Sequence, residues 1–485
     1  MDGGIKNSKP DSQILNPKDL PQDRLTTSDK EGRRVYVYPS DVTGRFKKYR
    51  NVVQVFLILI FLVLPWINIG GYQSVLLDIP NRRFAIFGLT FWAHDAPMLV
   101  FVFGGAALSI AFITAVWGRA WCGWACPQTV FIENVFRRIE RFVEGDAVAR
   151  KALDAGGWSG DKVWKKALKW SLFLGVTLVI SHSFLAYFVG AQNLGQIIRR
   201  TPGENFGSFL FMAAFSGLLL FDFGWFREQF CTVVCPYGRF QSLLMDNHSL
   251  VISYDEKRGE PRKQTHISQE KTGDCVNCYR CVQVCPTGID IRRGVQLECI
   301  ACTACIDACD DVMERLKKPR GLIRYATEVA MHGQKTSFIR PRTIVYFLLV
   351  LAVAIGLIAT VRGRSDVELL LVRPNDVPYQ DLGHIDGKRK IANRFKVELS
   401  NQTFEPIRVK LAVEGSKAHA IEIIGAMSQL ELSPGQKMTT EVFIKFDREL
   451  LSQGKAVIGV VVTRSDHSDS QVMTKEEVTL VGPYL

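Results

Sequence analysis

Twelve cysteines, all between residues 122 and 309, carry the chemistry of this 485-residue chain. Eight of them form two runs of the same spacing. The stretch "DCVNCYRCVQVCPTG" supplies Cys275, Cys278, Cys281 and Cys285, and "ECIACTACIDACDDV" supplies Cys299, Cys302, Cys305 and Cys309. Both read C-x2-C-x2-C-x3-C, the spacing that wraps a 4Fe-4S cube, with the fourth cysteine of each run ligating the other cluster. The pattern therefore assigns Cys275, Cys278, Cys281 and Cys309 to one centre, and Cys299, Cys302, Cys305 and Cys285 to a second. Structural zinc takes four ligands from two pairs, so two evenly spaced quartets argue against it. Cys285 is followed by Pro286 but Cys309 by Asp310, a departure that bears on packing and not on ligation. Two neighbouring one-electron carriers are the expected content of this insert.

The other four cysteines form a second repeated motif. "GRAWCGWACPQTVF" contains Cys122 and Cys126, and "FREQFCTVVCPYGRF" contains Cys231 and Cys235. Each copy has an arginine shortly before (Arg119, Arg227), an aromatic residue before the first cysteine, proline after the second, and phenylalanine five residues beyond it (Phe131, Phe240). Residues i and i+4 share a helix face with Cβ atoms about 5–6 Å apart, so each pair is expected to chelate a soft ion from one helix. Thiolate ligands favour Cu(I), Zn or Fe–S. Arg119 and Arg227, turned inward, are expected to lower the thiol pKa values. The following proline marks a helix end or a fresh helix start. The alternative is small buried cysteines at helix ends, but packing alone does not require two copies with matched flanks. All four are candidate catalytic and metal-binding or redox-active residues, in one shared site or in two, and nothing in the spacing selects copper alone.

These thiols must be positioned by membrane-spanning helices. About 20 apolar residues of helix cross a bilayer core, and residues 51–71, 96–118, 170–190, 205–226 and 343–361 qualify. Six Lys/Arg lie in residues 31–50 and nine in 119–166, against two in 72–94 and two in 191–203. The positive-inside rule then predicts a cytoplasmic N terminus, cytoplasmic cysteines and an exterior tail. The net charge of +12 reads as charge beside anionic lipid, with no nucleic acid implied. No apolar signal region of 7–15 residues stands near the start, so no cleaved leader is expected. A disulfide framework would place its cysteines in the oxidising compartment, the opposite of this distribution.

The expected organisation is a cytoplasmic, largely disordered segment (1–50), a four-helix repeat carrying both C-x3-C-P motifs (51–250), a double 4Fe-4S ferredoxin-like domain (251–330), a fifth span (340–363) and an exterior domain (366–485). The last alternates apolar and polar residues in "RFKVELSNQTFEPIRVKLAVEG" and "KAVIGVVVTRS"; about seven short strands predict an immunoglobulin-like β-sandwich without its cysteine pair. Its His419, His467, Met427, Met438 and Met473 are scattered and read as surface or core, making the domain a docking module. His182 in the third span reads as a neutral histidine bonded to a neighbouring helix, because no other span offers a second haem ligand. Asp95 and Asp222 read as solvated carboxylates at span ends. Trp121, Trp124, Trp225 and Tyr237 read as an interfacial aromatic belt.

Taken with "VYVYPSDVTGRFKKYR" before the first span, the order of motifs resembles the cytochrome c oxidase accessory proteins of the CcoG, FixG or RdxA family, over nearly the whole chain. The resemblance implies a bacterial inner-membrane protein that serves assembly of a cbb3-type oxidase by reducing Cu(II) to Cu(I). It also implies a copper transporter, chaperone or assembly factor as partner, and leaves the electron donor unidentified. Two other functions remain open on the sequence. One is a quinol-oxidising conduit, since C-x3-C-P motifs beside ferredoxin runs also resemble membrane subunits of nitrate and nitrous oxide reductase systems. The other is a non-catalytic assembly scaffold.

Overall fold

The computed structural model describes residues 34–92, 96–263, 272–374, 376–385, 387–414, 418–425, 430–465 and 472–484. Asp95, Met427 and His467, singled out above, lie outside the described residues. The chain divides into two compact units, residues 1–67 with 103–354 and residues 68–102 with 355–485.

Among the described residues five helices are long and apolar enough to cross a membrane: Arg45–Trp66, Met98–Trp117, Gly160–Val189, Phe206–Phe226 and Pro341–Arg362. Two of them begin well before their apolar stretches. The first starts at Arg45 because the Asp307 carboxylate accepts from the amides of Phe46 (3.2 Å) and Lys47 (2.7 Å), satisfying donors that the first helical turn leaves open. The third starts at Gly160 with Ser159 as N-cap. Its polar first turns are neutralised by Glu144, which pairs with Lys166 at 2.7 Å and Lys169 at 2.8 Å. Residues 34–44, expected to fall in a largely disordered segment, are instead held: Tyr38 donates to Asp154 at 2.7 Å, and the Ser40 amide to the Gln283 carbonyl at 2.8 Å. Between spans and motifs, Phe136, Phe173 and Phe223 pack with ring centroids 4.8 and 5.0 Å apart, a buried cluster with Ile132 and Ile180.

The ferredoxin-like insert is clasped by an antiparallel pair, Val251–Tyr254 against Ile323–Ala326. It carries short helices Arg280–Gln283 and Ala304–Arg315, each beginning beside the last cysteine of a C-x2-C-x2-C set. Its core of Ile252, Ile306, Met313, Leu322 and Ile323 encloses Cys275, Cys281 and Cys305.

The second unit holds an antiparallel sandwich. One sheet runs Ile421–Ile424, Lys437–Asp447, Lys388–Asn401 and Val367–Val372, with Gln380–Ile385 also on Lys388–Asn401; the other runs Leu430–Leu432, Ile407–Glu414, Lys455–Arg464 and Val472–Val481. That makes nine strands among the described residues where about seven were expected. Val397, Leu399, Val409, Ile444, Phe446 and Val462 are almost fully buried between the faces. This unit also contains a meander that the sequence reading missed, Val75–Asp78, Arg83–Ile86 and Leu89–Trp92. Trp92 donates to the Gln402 carbonyl at 3.2 Å and meets Phe404 edge-on at 5.4 Å. The loop after the first span and the tail after the fifth thus share one compact unit, which an even number of crossings between them permits.

Candidate functional site

Both cysteine runs curl in the same unusual way. In the first, Asn277 and Tyr279 on either side of Cys278 have φ of 57°; in the second, Ala301 (52°) and Thr303 (65°) flank Cys302. Left-handed backbone at non-glycine residues is uncommon and costs of order 1 kcal/mol each. Here it reverses the chain twice within seven residues, so that three sulfurs turn to one side. The outcome is two small cavities. Cys275, Cys278, Cys281 and Cys309 line one, and Cys285, Cys299, Cys302 and Cys305 line the other, which Cys281 also touches. That is the crossed grouping the spacing called for, and the soft all-sulfur donor sets fit an iron–sulfur cube.

The C-x3-C-P pairs do not lie on one helix face. Cys122 sits in Ala120–Trp124 and Cys231 in a π-helical turn, Phe230–Val234, but Cys126 (ψ 127°) and Cys235 (ψ 113°) are extended. The reason is the proline: the residue before it is pushed out of the helical region, and the ring then opens a new helix, Pro127–Phe131 or Pro236–Leu244. In both copies the second cysteine's amide donates five residues back, Cys126 to Trp121 (2.9 Å) and Cys235 to Phe230 (2.8 Å). The repeat is therefore one of backbone as well as sequence.

The structure brings the four thiols into one neighbourhood: burial raises Cys122, Cys126 and Cys231, and others of the set add to it. Among the described residues no three His, Cys, Asp or Glu side chains converge tightly enough for a single ion as they stand. Cys122 and Cys231 pack with Ile300, Cys302 and Ala304, the loop of the second quartet. Arg119 binds three segments together, donating to the carbonyls of Leu297, Cys299 (3.1 Å) and Gly238 (3.0 Å). Arg50 backs the same loop, donating to the Cys302 carbonyl.

The arginines do not make thiolates of these cysteines. Burial pushes Cys122 up to about 12, assisted by Cys126, and Arg119 only moderates it. Burial raises Cys126 and Cys231 as well. Arg227 faces elsewhere, clamping Glu140. In the quartets burial takes Cys285 to about 11 and Cys299 and Cys309 to about 12. Before metal binds, these buried thiols hold protons that a soft cation must displace.

Other residues change role. Trp124 donates to the Tyr325 hydroxyl (3.2 Å), which donates to the Ala301 carbonyl (3.2 Å), and Tyr237 meets Thr114 at 2.5 Å, so these two are inward struts and not belt residues. His182 bonds the Leu178 carbonyl of its own helix at 2.7 Å. Asp222 is half-buried and accepts from Gln128 at 3.0 Å. Gly123 marks a close approach of the first thiol motif to the second quartet, since a Cβ there would lie 2.6 Å from both the Ala301 and Ile300 carbonyl oxygens. Gly123→Ala is expected to displace that loop at a cost of about 1–3 kcal/mol. Iron analysis and thermal unfolding should both fall; an unchanged protein would mean the loop is not seated there.

Two cysteine-lined cavities beside a dithiol repeat, on a five-helix membrane scaffold, define a membrane-type ferredoxin that carries electrons on iron–sulfur clusters. Residues 226–328 match the 4Fe-4S dicluster domain, 85–144 a 4Fe-4S binding domain, and 357–483 the Ig-like fold at the C-terminal of FixG. The chain belongs to the FixG/RdxA family. It is 33% identical to nitrogen fixation protein FixG of Rhizobium meliloti over 81% of this chain and 82% of that one. It is 35% identical to protein RdxA of Cereibacter sphaeroides over 79% and 83%. The ferredoxin-type protein NapH of Escherichia coli is 21% identical over 55% and 87%.

Proposed function

We propose that this protein passes single electrons to copper held by Cys122, Cys126, Cys231 and Cys235, reducing Cu(II) to Cu(I) for maturation of a cbb3-type oxidase. The reading is carried by one observation: Cys122 and Cys231 pack directly on the loop of Cys302. In it Cys275, Cys278, Cys281 and Cys309 hold one 4Fe-4S cluster and Cys285, Cys299, Cys302 and Cys305 the other; bound there, they supply one-electron transfer.

The chain's own groups do the rest. Arg119 ties both thiol motifs to the Cys299 carbonyl and fixes their separation from the second quartet. Cu(II) enters as substrate, and its binding displaces the protons that burial keeps on the thiols. Sulfur ligands favour Cu(I) over Cu(II), so the site is complementary to the product oxidation state. In this reading the chemistry takes place on the cytoplasmic face of the bacterial inner membrane, which the basic segments beside the first and third spans support. Cu(I) then leaves to a copper transporter or chaperone, and the exterior sandwich docks an assembly partner.

The test uses protein pre-reduced anaerobically with dithionite and desalted. In the Cys122→Ser/Cys126→Ser double variant, Cu(II) reduction followed with a Cu(I) chelator should drop at least about tenfold, with iron and sulfide content unchanged. An undiminished rate would remove this pair from the reaction.

A further inference from the structure

The first unit contains a cavity of about 710 Å³ walled by the first, third and fourth spans and by the helix that Pro127 opens. Its lining is aliphatic and aromatic except at one place, where Gln128 and Asp222 face in. These two are bonded to each other, Gln128 Nε2 to Asp222 Oδ1 at 3.0 Å, and Gln128 also donates to the Arg227 carbonyl at 3.2 Å. Its volume is that of a site for a ligand of several hundred daltons. Its aromatic rings pack on one another and offer ring faces and edges to a ligand: Phe61 and Phe131 meet edge-on at 5.6 Å, and Phe184 and Phe215 stack at 4.9 Å.

The position of the cavity suggests its purpose. Ala125 and Pro127, on either side of Cys126, line it, and so do Phe230 and Val234, which directly precede Cys231 and Cys235. The backbone there is irregular, with π-helical turns at Asp222–Phe226 and Phe230–Val234 and a left-handed Arg227 (φ 52°) between them. Such turns concentrate at functional sites. An acyl chain would use the apolar wall but leave the carboxylate–amide pair without a purpose.

We infer that this cavity binds a lipid-soluble quinol, which is the electron donor to the protein. Gln128 and Asp222 bond one quinol hydroxyl while the ring lies among the phenylalanines. Oxidation to the quinone releases two electrons and two protons. The electrons would be taken up one at a time by clusters held on the two cysteine quartets; the proton of the bonded hydroxyl passes to the Asp222 carboxylate, and both protons end in water. This rests on the electron-transfer reading but not on copper as acceptor.

The experiment uses the full chain in quinone-free nanodiscs. A photoreactive azido-quinone should label peptides that line the cavity, in competition with decylubiquinone. Leu219→Trp, which fills the space, should weaken decylubiquinone binding at least tenfold. Asp222→Asn should slow EPR-monitored reduction by decylubiquinol about a hundredfold, with dithionite reduction intact as the check on folding. Labelling elsewhere, unchanged binding in Leu219→Trp, or phospholipid that saturating quinone cannot displace would overturn the assignment. Copper reduction by dithionite-reduced protein is independent of all these outcomes, so failure here and failure of the copper reading are separable.

Discussion

Replacing Cys285 with alanine will remove the centre built on the second cysteine run and spare the one built on its own. Cys285 lines a cavity with Cys299, Cys302 and Cys305, and its sulfur lies 3.3 Å from the Thr287 hydroxyl on that side. Cys309, from the second run, lines the other cavity and is influenced most by Cys275 and Cys278 after burial. Iron should therefore fall from about eight atoms per chain to about four in Cys285→Ala, and likewise in Cys309→Ala. Pairing separates this arrangement from its alternative. Cys285→Ala with Cys299→Ala should cost no more iron than either alone, because both remove the same centre, whereas Cys285→Ala with Cys275→Ala should remove both. If instead Cys285 and Cys275 behave as one unit, each run wraps its own cluster. The result also bears on function, since the second quartet adjoins Cys122 and Cys231 through Cys302. Cys285→Ala should then block delivery to the thiols even though the first centre still takes up electrons.

The quartets were legible because ligand spacing is local chemistry: a C-x2-C-x2-C run has few other uses, and the chain's two left-handed residues per run are consequences of that spacing. The five spans were legible for a similar reason, since a bilayer imposes a length that composition reveals. What composition could not reveal was where a helix starts when its first turn is charged. Arg45 begins a helix because Asp307, 262 residues away, caps it. Non-local pairing also hid the meander of Leu89–Trp92, whose short strands lack alternation and whose anchor is the Gln402 carbonyl. At the C-x3-C-P motifs the i, i+4 argument failed because proline acts on the residue before it. Asp222 was passed over as a solvated carboxylate; its pairing with Gln128 could have been suspected only from an acid and an amide at equivalent depth.

Glu140→Ala should be the most damaging substitution outside the cysteines. Its carboxylate lies 2.6 Å from Arg227 and 2.9 Å from Arg150, all three almost wholly buried, and the Arg227 guanidinium also sits over the Tyr36 ring at 5.2 Å. Burial alone would raise Glu140, but Arg227 and then Arg150 overturn it and hold the acid at about 2, below its ordinary 4.5. Glu133 is held at about 2 in the same way, by Arg137, Lys47 and Arg50 against burial. Removing the Glu140 carboxylate leaves two buried cations without their counter-charge, which costs about 3–5 kcal/mol, or roughly 10 °C in thermal midpoint. The pH dependence has a definite sign. Because both folded pKa values are depressed, the stabilisation is complete above the unfolded value near 4.5 and is lost as pH falls toward 2, to the extent of about 3 kcal/mol for each group. Thermal midpoints of the wild-type protein should therefore be level above about pH 5 and fall steeply below it, and Glu140→Gln should flatten that limb by about half. Since this network lies among the helices and not at the thiols, iron content at neutral pH should be unchanged in Glu140→Gln, which distinguishes loss of the scaffold from loss of the clusters.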